Sequence, residues 1–161
     1  MESTLAAVPR QSGAVLRAIF WGGLLCGAID IAVAFVVYWP FGARPIPLLQ
    51  GIAAGALGRN AYRGGLPTAA LGLFFQFLIA YGAAAVYVLA SRVRVFLARR
   101  PLIAGPLYGI AVYWFMQIAV LPFSSTIKRP FSLELTVVGM AIHIFTVGLT
   151  IALTTKHFAP L

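Results

Sequence analysis

Residues 18–39 read AIFWGGLLCGAIDIAVAFVVYW. One charge, Asp30, interrupts the run. As a helix these residues rise about 33 Å, and roughly 20 residues suffice for the ~30 Å of hydrocarbon in a bilayer. The stretch has no period-2 alternation, so a helix is preferred over a barrel strand, because backbone groups in lipid must be paired within the segment. It is longer than the roughly 7–15-residue core of a signal peptide. It also runs into Trp39-Pro40-Phe41 instead of a small-x-small cleavage site, and is expected to be a retained span.

Three further stretches have the same character: 66–90 around Gln76, 102–122 around Gln117, and 133–155 around His143. Of the 161 residues 61% are apolar and 9% charged, with a mean hydropathy of +0.96. Soluble domains carry about 25% charged residues, and a water-facing surface of this size has no way to hide so much apolar matter. An ordinary soluble enzyme and a disordered chain are thereby excluded. The expected fold class is all-α, an integral membrane four-helix bundle forming a single transmembrane domain over 1–161. Trp39-Pro40, Gly64-Gly65-Leu66-Pro67, Arg99-Arg100-Pro101 and Leu121-Pro122-Phe123 punctuate the spans. Pro106 predicts either a kink or a later start of the third helix.

The connection between the first two spans holds an apolar patch within 46–62, too short to cross comfortably. Three readings stand: an additional short interfacial helix against the bundle, a re-entrant hairpin, or an irregular loop. Arg59 and Arg63 are four apart and share one face, where lipid phosphate suits them better than hydrocarbon.

The 12 basic and 3 acidic residues give a net charge of +9. Seven basic residues fall on the side of the termini and the Arg92–Arg100 connection, five on the other. The positive-inside rule then places both termini in the cytoplasm. Arg59, Arg63, Arg92, Arg94, Arg99, Arg100, Lys128 and Arg129 all sit at helix ends, where they suit anionic phospholipid headgroups. The charge therefore marks topology, and no soluble basic module is present to make nucleic acid a partner.

The two halves echo one another. Gly27 to Pro40 and Gly109 to Pro122 have equal spacing, each proline precedes phenylalanine, and Gly72 and Gly139 stand four before Gln76 and His143. A duplicated two-helix hairpin would produce this, with parallel repeats about an axis along the membrane normal.

Asp30 is the acid inside a span, where an unpaired carboxylate costs about 2.5–3.5 kcal/mol on insertion scales. It predicts a protonated group, a paired one or one facing a polar cavity, serving as a proton or cation relay, as a ligand contact or as a structural clasp between helices. His143 lies at similar depth and is its natural partner, while Gln76 and Gln117 complete an intramembrane polar network with one member per span. Thr146, Thr150 and Thr154 follow on one stripe, suited to bonding their own helix carbonyls. Gly23 with Gly27, Gly51 with Gly55, and Gly105 with Gly109 are small-xxx-small pairs that let helices approach. Cys26 is the one cysteine, which excludes an internal disulfide, a CxxC pair and a thiolate metal cage. No P-loop, HExxH, dinucleotide fingerprint or nucleophile elbow occurs, so no catalytic residue, metal or cofactor is expected.

The Gly27–Asp30 segment, the Gln50–Arg63 connection with its Gly58-Arg59 step, the Ala90-Ser91-Arg92 exit and the Lys128–Ser132 loop together resemble the uncharacterised four-span inner-membrane proteins of Gram-negative bacteria, the YagU-like group. The resemblance implies a bacterial inner membrane and supplies no reaction. Three functions stay open: an accessory or homo-oligomeric component of a larger membrane complex, an oligomeric small-solute or proton-coupled transporter or channel using Asp30 and His143, and a membrane-embedded enzyme.

Overall fold

In the computed structural model residues 8–125 and 132–159 are described, with side chains from Ser12 onward. Lys128 and Arg129 lie outside the described residues. Helix α1 spans Val8–Tyr38, α2 Pro45–Leu57, α3 Gly65–Val93, α4 Val95–Arg99, α5 Pro101–Phe115, α6 Leu133–Ile142 and α7 Thr150–Phe158. Helix α5 continues through a π turn at Met116–Val120 and a 3-10 turn at Leu121–Phe123, making one third span. Helices α6 and α7 are joined by a π turn at His143–Leu149 into one fourth span. The chain is thus an all-α bundle with four helices long and apolar enough to cross a membrane, a multi-pass membrane protein.

The spans agree with the sequence reading to within a few residues except at the start of α1, which begins ten residues before the apolar run. Ala14 and Val15 explain the extension, since they pack with Ala18 against Val88 of α3 and against Phe158 and Ala159. Pro106 lies inside α5, so the helix does not start late. The connection around Arg94–Arg100 holds the short α4.

The patch within 46–62 forms α2 followed by a 3-10 turn at Gly58–Arg63, which sets aside the irregular loop. Gly58, at φ +59°, makes the turn between them in a conformation that disfavours a Cβ. Gln50 is buried and gives its amide hydrogens to Gly65 O at 3.0 Å and Thr68 Oγ1 at 3.3 Å, fastening α2 to the head of α3. At its other end Ser125 N donates to Gly55 O at 2.9 Å, so α2 bridges α3 and the exit of the third span.

Helix α1 packs along α3 and along the whole fourth span, and α5 packs on the fourth span. Gly23 faces Tyr81 and Gly27 faces Phe77 in the first hairpin. In the second, Gly105 faces Gly148 and Gly109 faces Ile144. An offset of 82 carries the first glycines onto the second pair, and 67 carries their partners, so both hairpins close on equivalent contacts. Equivalence ends between the hairpins. α1 lies close against the fourth span, but its counterpart pair, α3 and α5, has no comparable backbone approach.

Candidate functional site

The gap left between α3 and the third span is a cavity of about 550 Å³. Asp30 and Cys26 of α1 form its back with His143 and Val147 of the fourth span. Gln76, Ile79 and Ala83 stand on one side and Val112, Met116 and Val120 on the other. Helix α2 covers one end through Leu48, Ile52 and Gly55. Toward the opposite end the core closes on Tyr87 and Tyr108, whose rings meet edge-on at 5.0 Å. Their hydroxyls donate to Leu97 O at 2.9 Å and Ala83 O at 2.8 Å, satisfying polar groups that hydrocarbon would strand. Leu78 and Ile79 line the cavity yet are 56% and 40% exposed, so the cleft opens sideways at mid-span.

Asp30, Gln76 and His143 all lie within about one and a half turns of the middle of their spans. Gln76 Nε2 donates to Asp30 Oδ2 at 2.8 Å, and Thr146 Oγ1 meets Asp30 Oδ1 at 2.5 Å. Three elements therefore converge on one carboxyl group: α1, α3 and the fourth span. Thr146 also reaches Ile142 O, at 2.9 Å. One hydroxyl hydrogen cannot serve both oxygens, so the carboxyl and the helix carbonyl compete for it.

His143 shares the cavity wall without being Asp30's hydrogen-bond partner. Its Nδ1 stands 2.9 Å from Gly139 O, and because a carbonyl only accepts, Nδ1 carries the hydrogen. The other ring nitrogen, Nε2, takes no part in that bond. The ring is held edge-on to Tyr113 at 5.4 Å.

Gln117, expected in the same network, is exposed and does not reach Asp30. Its Nε2 donates to Tyr113 Oη at 3.0 Å, one residue removed from His143. Of the four residues singled out, three line the cleft and one stands beside its wall. Thr146 is the member that sequence spacing placed on the fourth span without its partner. Thr150 and Thr154 bond Phe145 O, Thr150 O and Ile151 O of their own helix, as the stripe predicts.

The basic residues sit at the ends. Arg59, Arg63, Arg94, Arg99 and Arg100 are exposed, and Arg92 is half-buried with its Nε unpartnered among the described residues. Arg44 lies over Trp39 at 4.3 Å from the ring centre, a contact suited to the membrane–water boundary. No three potential ligands among the described residues come together as a metal site. No family model, curated protein or solved structure matches the chain.

Proposed function

We propose that the chain is a small-solute binding or carrier protein of the membrane, with Asp30 as the acidic centre of its site. The observation that carries this reading is the roughly 550 Å³ cavity on which Asp30, Gln76 and His143 converge. Residues serving only as packing would be enclosed by close contacts, whereas this space falls within the range of about 300–1,000 Å³ that ligand pockets occupy. Charges placed within membrane spans commonly line solute or proton paths. Four spans are few for a complete transporter, so the working form is a homo-oligomer. It belongs in a bacterial inner membrane with both termini cytoplasmic, as the YagU-like resemblance and the arginine distribution suggest. Arg59, Arg63, Arg92, Arg94, Arg99, Arg100, Lys128 and Arg129 meet anionic headgroups there.

A second reading, an accessory component with a structural clasp, draws on one observation: Asp30 is already bonded to both Gln76 and Thr146. Proteoliposomes separate the two. Asp30→Asn and His143→Gln are expected to abolish proton or solute flux while the protein still melts as a folded species. Lowered melting with unchanged flux assigns the cluster to the clasp.

A further inference from the structure

We infer that the cleft takes a lipophilic cation, its apolar body between α3 and the third span and its positive group against Asp30. This builds on the reading of the cleft as a solute site and names the chemistry of the solute. Asp30 is the only Asp, Glu, Lys or Arg on the cavity wall among the described residues. A cation entering there meets the acidic side chain of the wall, and an anion finds no Lys or Arg to receive it. The carboxyl group offers about four lone-pair positions, and Gln76 and Thr146 occupy two while fixing its orientation. Capacity for a further positive or hydrogen-donating group remains.

The rest of the wall sets the class. Ile79, Val112 and Val147 offer no oxygen ligands, and the Ser124 hydroxyl stands at the exit of the third span, past its last turn. A compact inorganic cation needs several oxygens to replace its water. A cation with its charge spread over an organic body loses less hydration and gains the apolar contact. The route points the same way. The opening beside Leu78 and Ile79 faces outward at mid-span, where solutes arrive dissolved in hydrocarbon.

The test is equilibrium binding to the full chain in nanodiscs of neutral phosphatidylcholine. Three probes are compared: tetraphenylphosphonium, its near-isosteric anion tetraphenylborate, and neutral triphenylphosphine oxide. Saturable binding of the cation alone is expected, with Asp30→Glu retaining it and Asp30→Asn weakening it by about tenfold or more. Equal binding of the anion or the neutral probe overturns the charge assignment and leaves a solute site standing, as does cation binding unchanged in Asp30→Asn. Saturable binding of none of the three overturns the solute-site reading itself. Should Asp30→Asn fail to fold, charge discrimination by the wild type decides, with Ala83→Trp as the variant that fills the cleft and is expected to remove binding.

Discussion

Thr146 has one hydroxyl hydrogen and two acceptors in reach, Asp30 Oδ1 and Ile142 O. It joins the fourth span to α1 without spending a charge, and the carboxyl group of Asp30 becomes the shared end of two interhelical bonds. Hydrogen bonds between membrane helices average about 0.6 kcal/mol and reach about 1.7 kcal/mol. Thr146→Val keeps the shape and removes the donor, so it is expected to destabilise by about 1 kcal/mol, while Thr146→Ser restores the loss. Unfolding by denaturing detergent reads both. At this scale the sequence was legible for depth and not for rotation. Asp30, Gln76 and His143 stood out because polar groups are costly in apolar runs. Gln117 looked identical by that measure, yet its helix turns it outward toward Tyr113 Oη. Which of two glutamines meets a carboxyl group depends on how each helix is rotated, and hydropathy is blind to that.

Among the elements, α5 meets the π turn of the fourth span backbone against backbone. A Cβ at Gly109 would collide with the carbonyl oxygen of His143 and the backbone of Ile144, and one at Gly148 with the carbonyl of Gly105. Backbone cannot move aside as a side chain can. Gly109→Leu is expected to destabilise by about 3 kcal/mol or prevent folding, the upper end of overpacking costs. Gly82→Leu, on α3 with nothing within 4 Å of its would-be Cβ, should leave melting nearly unchanged. Thermal stability of the two purified variants checks the contrast. The spans themselves were readable because four apolar runs of sufficient length leave little choice. The π turns were not. A wide turn absorbs an extra residue and shifts every face beyond it, so counting by three and four from α6 misplaces the faces of α7. Helix α2 could be located but not oriented, since its hold depends on Gln50 finding Gly65 O and Thr68 Oγ1 across the turn.

For the molecule as a whole, the repeated glycine contacts divide the chain into two hairpins joined by the segment around α4. The α1–fourth-span contact carries the Asp30–Thr146 bond and part of the buried core around Cys26, Val147 and Ile151. Fragments 1–94 and 95–161, co-expressed, are therefore expected to assemble and co-purify through a tag on either one. Recovery of only the tagged fragment would show that the hairpins need the covalent link. The glycine spacing announced the repeat from sequence, but its inequality was hidden, because the positions equivalent to Asp30 and Thr146 are Val112 and Ile79, plain apolar residues. Both line the cleft. Where one copy has a bonded seam, the other has an opening to the side. A doorway at that depth makes the lipid the solvent from which a ligand is drawn. Apparent affinity referred to the aqueous concentration should then track the ligand's oil–water partitioning and the amount of bilayer supplied, with no change in any contact inside the protein.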